Sequence, residues 1–208
     1  MSVKDHWEAV YARRAPDQVS WFRPHLERSL AFIERAGLTR DAAIIDVGGG
    51  PSTLVDDLLA RGYTNVTVLD ISATAIDTAK ARLGERASQV RWVVGDVTEL
   101  DLGTNSYDFW HDRAVFHFLR DQAVRRRYVA AVRRAVKPEG HVLVATFGPE
   151  GPERCSDLEI VRYDADTLHN EFGAEFRKVD SVIEVHRTPR RAEQQFVYCY
   201  CRLTAQPS

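Results

Sequence analysis

Short apolar runs alternate along this chain with longer segments whose apolar positions recur at helical spacing. Ala43 to Val47 is a compact apolar run interrupted only by Asp46, and predicts a strand. A glycine turn follows, then a helix opened by Ser52 that turns Leu54, Val55, Leu58 and Leu59 inward and stops at Gly62. Val66 to Leu69 predicts the second strand, and Ser72 caps a helix with Ile76, Ala79 and Leu83 inward, ended by Gly84. Gln89 to Val94 and Tyr107 to His111 give the third and fourth strands. Asp121 caps a long helix with Val124, Tyr128, Val132 and Val136 on one face, closed by Pro138 and Gly140. His141 to Phe147, almost wholly apolar, reads as a strand covered on both faces. Such alternation predicts an α/β fold, a doubly wound and mostly parallel sheet with right-handed crossovers.

The two ends of the chain break this rhythm. Trp7, Tyr11, Trp21 and Phe22 lie in an N-terminal stretch without a clean helical stripe, and Pro24 to Ala36 predicts an amphipathic helix. Beyond the fifth strand, residues 148 to 159 read as a loop and Asp164 to Phe172 as a helix. Phe176 to His186 and Gln195 to Leu203 then read as two strands joined without a helix, an antiparallel pair at one edge.

Composition narrows the function classes. At 208 residues the chain has the size of one domain, 1–208, able to bury a full core. A formal net charge of −2 argues against a dedicated nucleic-acid partner. No apolar run is long enough to span a membrane, and Met1 to Trp7 lacks the apolar centre of a signal peptide. Three cysteines give no even disulfide framework, which makes a reducing, cytoplasmic location the expectation.

The chemistry concentrates in Asp46-Val-Gly-Gly-Gly-Pro-Ser52 and in Asp70, about twenty residues beyond the glycines. A dinucleotide site needs a third glycine for close approach to a pyrophosphate, and here that position holds Thr53. The negative charge of Asp46 would oppose a pyrophosphate and suits a cationic amine, while Asp70 is placed to accept from a ribose diol. A nucleoside with a charged amino-acid tail and no phosphate is S-adenosylmethionine. An NAD-dependent reductase is therefore disfavoured; a module that binds the cofactor without using it is the other rival.

From about residue 40 onward the chain resembles the class I S-adenosylmethionine-dependent methyltransferases. The resemblance implies a seven-stranded sheet of order 3-2-1-4-5-7-6, with 1–37 as a helical lid segment, 40–147 as the cofactor-binding core and 148–208 on the acceptor side. It implies that Asp46, Gly48, Gly49 and Gly50 hold the methionine end, Asp70 and Ile71 the ribose and adenine face, and Asp96 and Val97 the adenine. Asp96 also reads as a plain turn residue.

Asp112-Arg113-Ala114 resembles the Asp-Arg-Gly/Ala element of thiopurine and thiol methyltransferases. Asp112 and Arg113 would then hold the cofactor's carboxylate and amine or the acceptor, or else brace the loop as an ion pair. His117 is a possible base or a packed core histidine, and His111 reads as structural. Trp7, Tyr11 and Trp21 resemble the aromatic lead-in of small-molecule thiol enzymes and of seven-strand protein lysine methyltransferases. They would stack over the cofactor as a lid, or simply pack on the sheet, with Arg13 or Arg14 within reach of the cofactor carboxylate.

Methyl transfer to a thiol or hydrosulfide needs less help from a base than transfer to a hydroxyl or ammonium, because far more of it is already ionised near neutral pH. The leading expectation is thus a small-molecule acceptor with a soft nucleophile, and the alternative is a protein substrate, lysine. Cys155 falls in the acceptor-side loop, whereas Cys199 and Cys201 share a face with Val197 and Leu203 and read as core; no metal site is expected. Arg162, Tyr163, His186 and Gln195 are weaker acceptor-side candidates. Arg125 to Arg127, with Arg133 and Arg134, reads as a solvated helix face.

Overall fold

A computed structural model describes residues 2–204. Its main sheet follows the order β3-β2-β1-β4-β5-β9-β8. The five parallel strands are β1 (Ile44–Val47), β2 (Val66–Asp70), β3 (Val90–Val94), β4 (Tyr107–Arg113) and β5 (Val136–Phe147). Two long antiparallel strands, β8 (Phe176–Arg187) and β9 (Glu193–Leu203), complete the sheet, with β9 inserted between β5 and β8. This is the expected seven-strand order. A small separate hairpin, β6 (Arg154–Cys155) with β7 (Leu158–Glu159), lies in the stretch expected to be a loop.

Helices cover both faces because the strands present apolar side chains to both. On one face α2 (Glu27–Arg35), α3 (Leu54–Ala60) and α4 (Ala73–Leu83) bury Ile33, Leu54, Leu58 and Ile76 against Ile44 and Phe109. On the other, α5 (Gln122–Ala135) and α6 (Ala165–Phe172) bury Tyr128, Val132, Leu168 and Phe172 against Ile45 and Trp110. Ser72, Asp121 and Asp164 cap α4, α5 and α6, as their side-chain chemistry predicts.

The N-terminal segment, helical by the resemblance, holds a helix, α1 (Val3–Arg13), which starts from a capping box between Ser2 and Asp5. Three other local expectations change. Helix α3 begins at Leu54 with Thr53 at its cap position, because the turn continues through Ser52; the Thr53 hydroxyl instead donates to Arg23 O at 3.1 Å. Strand β4 runs on through Asp112 and Arg113, which pair with Val144 and Ala145. Finally, α5 ends at Ala135, and Pro138 and Gly140 lie inside β5. There the register shifts between Tyr107 and Phe109, so the missing N–H of Pro138 falls where the ladder is interrupted.

Candidate active site

One cavity opens at the carboxyl ends of β1, β2, β3 and β4, where a doubly wound sheet leaves a crevice. The turn after β1 can be made only by glycine at two points. Gly48 has φ +68°, and a Cβ there would overlap Val115 Cγ2 from the turn after β4. At Gly50, φ is +24° and a Cβ would lie 2.6 Å from Asp70 Oδ2. Gly50 thus shapes the crevice from behind, while Gly48 and Gly49 line it.

Three acids line the cavity in strand order: Asp46, Asp70 and Asp96. Asp46 is buried, with Oδ1 2.7 Å from His111 Nδ1, and His111 Nε2 lies 2.8 Å from Ser29 Oγ. His111 therefore positions Asp46 from the neighbouring strand. Asp70 accepts from Ser72 N at 2.9 Å, yet its burial, aided by the charges of Asp46 and Glu8, pushes its carboxyl up to about 7. Asp96 accepts from both N and Oγ1 of Thr98 at 2.8 Å, making the turn and lining the cavity at once. Ile71 and Val97 stand beside these acids.

Trp7 and Tyr11 from α1, Trp21 and Phe118 form an aromatic wall on the same cavity. Trp7 stacks on Tyr11 (centroids 5.8 Å apart) and meets Trp21 and Phe118 edge-on at 5.9 and 5.1 Å.

A family profile described as a methyltransferase domain matches residues 44–140, the segment that builds this crevice. EEF1A lysine methyltransferase 2 of Homo sapiens is 24% identical over 160 residues, covering 70% of this chain and 68% of its own. The Burkholderia thailandensis 1,6-didemethyltoxoflavin-N1-methyltransferase, solved with S-adenosylhomocysteine, superposes with a TM-score of 0.71 at 23% identity, covering 98% of this chain and 88% of that one. A structure from work on conversion of a disulfide bond into a thioacetal group during echinomycin biosynthesis gives a TM-score of 0.78 at 20% identity, covering 100% and 94%.

The chain is an S-adenosylmethionine-dependent methyltransferase with its methyltransferase domain at residues 44–140.

The methyltransferase's crevice fits its cofactor: a glycine cradle that a Cβ would fill, and a desolvated acid at the second strand end with one carboxylate oxygen bonded to Ser72 N. Other sequence candidates fall elsewhere. Asp112 is fully buried and turned to the α5 face, where it accepts from Tyr128 OH (2.6 Å), Val115 N (2.9 Å) and Phe116 N (3.1 Å). It braces the turn after β4 and does not line the cavity. Arg113, one residue on, points to the opposite face, as strand alternation requires, and does line it. The two make no ion pair with each other, so neither role imagined for a joined Asp-Arg pair applies to Asp112.

His117 is also buried outside the cavity, accepting from Phe147 N at 3.2 Å and packing on the Phe147 ring. Burial, with the Arg113 charge, lowers its ring to about 3, so it is a neutral core histidine. Cys155 lines the cavity, but burial pushes its thiol up to about 12, leaving it protonated. Neither Arg13 nor Arg14 lines the cavity; Arg23 does, paired with Glu184 at 2.8 Å. Arg162, Tyr163, His186 and Gln195 stay outside it, and His186 Nε2 donates to Ser20 O at 2.7 Å.

Glu8 carried no sequence signal and ties α1 to the start of α4. Its carboxylate accepts from Ser72 Oγ (2.8 Å), Ala73 N (2.7 Å) and Thr74 N (3.1 Å), capping α4 from another helix. Partial burial opposes ionisation, but these hydrogen bonds prevail and hold its carboxyl down at about 2. A lowered acid stabilises the fold above its ordinary value of 4.5 and loses that contribution as pH falls toward about 2. Glu8→Ala is expected to free α1, raising the KM for S-adenosylmethionine and speeding S-adenosylhomocysteine release several-fold, read by stopped-flow tryptophan fluorescence. Glu8→Gln should restore much of the closure, and an alanine variant with wild-type release would detach Glu8 from the lid.

Proposed function

We propose that this methyltransferase transfers its methyl group to a small-molecule acceptor bearing a soft nucleophile, a thiol or sulfide. The observation that carries this reading is the absence, among the described residues, of a free base at the acceptor end of the cavity. Of the groups lining it, Cys155 is held as a thiol and both His111 nitrogens are engaged. Its acids, Asp46, Asp70 and Asp96, sit at three strand ends, the side of the cavity that this reading gives to the cofactor. An acceptor already ionised near neutral pH suits such a site; an ammonium, which must first lose a proton, does not.

Bound S-adenosylmethionine supplies an electrophilic methyl group on a sulfonium. In this reading Asp46, beside Gly48 and Gly49, holds the cationic amine, Asp70 and Ile71 the ribose, and Asp96 and Val97 the adenine. Trp7, Tyr11 and Trp21 exclude water, which would otherwise solvate the nucleophile and blunt it.

A second reading, protein lysine methylation, is favoured by the relatives named eEF1A lysine methyltransferases. The two separate with methyl-labelled S-adenosylmethionine, purified protein and a cell extract divided into volatile, small-molecule and macromolecular fractions. Label in the first two is the expected result. Label in protein would make the lysine reading primary, and binding without any transfer would point to a cofactor-binding module.

A further inference from the structure

Building on the small-molecule reading above, we propose that the acceptor carries a carboxylate, bound by Arg113. The cavity is electrically polarised. Its acids stand at the ends of β1, β2 and β3, while the opposite side, toward β9, presents a guanidinium. Arg113 is only 9% exposed. Its Nε donates to Tyr198 OH at 3.1 Å and its Nη1 to Trp21 O at 3.0 Å, and the cation lies 4.3 Å over the Phe196 ring. Nη2 has no hydrogen-bond partner, and among the described residues no carboxylate reaches ion-pair distance of the group.

The direct partners of this cation are neutral, and a carboxylate, Glu184, stands only beyond the Tyr198 hydroxyl that donates to it at 3.0 Å; a buried cation so placed is stabilised when an anion completes the site. Arg23, which lines the same cavity, lacks this property, because Glu184 and Glu27 neutralise it. Asp112 cannot serve Arg113, since its carboxylate faces the other side of the sheet with three donors. What remains at Arg113 is one unpaired nitrogen, Nη2, on a planar cation that lines the cavity together with Trp21 and Cys155, and its N–H groups match a carboxylate oxygen. The same group repels an incoming ammonium, which sets this site against lysine.

The cofactor also has a carboxylate, so the test must separate the two sources. Calorimetry would first compare S-adenosylhomocysteine binding to wild type and Arg113→Met. The saturated complexes would then be titrated with benzoate, benzyl alcohol and benzylamine, three probes of similar shape and different charge. S-adenosylhomocysteine affinity is expected to stay within about twofold, while benzoate binds the wild-type complex about tenfold more tightly than the alcohol, as for a charge-assisted hydrogen bond. That preference should vanish in Arg113→Met and persist in weakened form in Arg113→Lys, which also serves if the methionine variant fails to fold. Benzoate binding no better than the alcohol, or benzylamine binding best, would overturn the proposal. A large loss of S-adenosylhomocysteine affinity in Arg113→Met would also overturn it, giving Arg113 to the cofactor. Label appearing in protein in the fractionation experiment would overturn the small-molecule reading on which the proposal rests; it is read separately from the benzoate preference, whose absence overturns the Arg113 site itself.

Discussion

Asp70→Ala is expected to weaken S-adenosylhomocysteine binding by roughly 1–3 kcal/mol, about fivefold to 150-fold, as ribose hydroxyls lose a buried acceptor. Burial pushes the carboxyl of Asp70 up to about 7. Hydroxyl donors favour its ionised form, so wild-type affinity should fall below about pH 7 by up to about tenfold per pH unit. Asp70→Asn, which no longer titrates, should show a flat profile. The same shift acts on stability. A folded value above the ordinary 3.8 means that the folded chain binds the proton more tightly, so stability is highest below 3.8, declines as pH rises toward about 7 and is level above it. Asp70→Asn should accordingly melt higher than wild type at pH 8 and near wild type at pH 4. Unchanged affinity and an unchanged pH profile in the variants would remove Asp70 from the cofactor site.

The second large effect is structural. Asp112→Ala should lower stability by about 3 kcal/mol or more, because it leaves Tyr128 OH, Val115 N and Phe116 N without their acceptor in the core. For a chain of this length that corresponds to roughly 6–12 °C in thermal midpoint. Tyr128→Phe should lose less, since it takes one donor from Asp112 and the acceptor of Trp110 Nε1 but leaves both backbone bonds to Asp112 in place. The folded fraction of Asp112→Ala is expected to keep S-adenosylhomocysteine affinity within about a few-fold of wild type. A variant that melts normally and has lost turnover would return Asp112 to the chemistry.

Much of the crevice was legible in the sequence because strand ends fix it. A run that ends in Asp46 before glycines and another that ends in Asp70 must place both acids at one edge of a parallel sheet. The rest depended on facts that no local pattern carries. The apolar alternation of β4 fades at His111, so the strand appeared to stop there, yet pairing with Val144 and Ala145 extends it and decides which way Asp112 and Arg113 point. His117 follows that same turn, and only the packing of Phe147 reveals it as core. Helix α1 buries a single side chain, Trp7, which gives almost no periodic stripe to read. Glu8 does its work on Ser72, Ala73 and Thr74, more than sixty residues away, where neither end of the contact announces the other.

Asp112 and Arg113 are neighbours in the chain and strangers in space. One is committed to the α5 side of the sheet, the other to the crevice. Exchange at position 113 releases Trp21 and Tyr198 and, on the proposal above, alters the acceptor, while the Asp112 brace beneath is untouched; exchange at position 112 breaks the brace itself. A strand that divides its duties residue by residue lets specificity drift under selection without dragging the fold along with it.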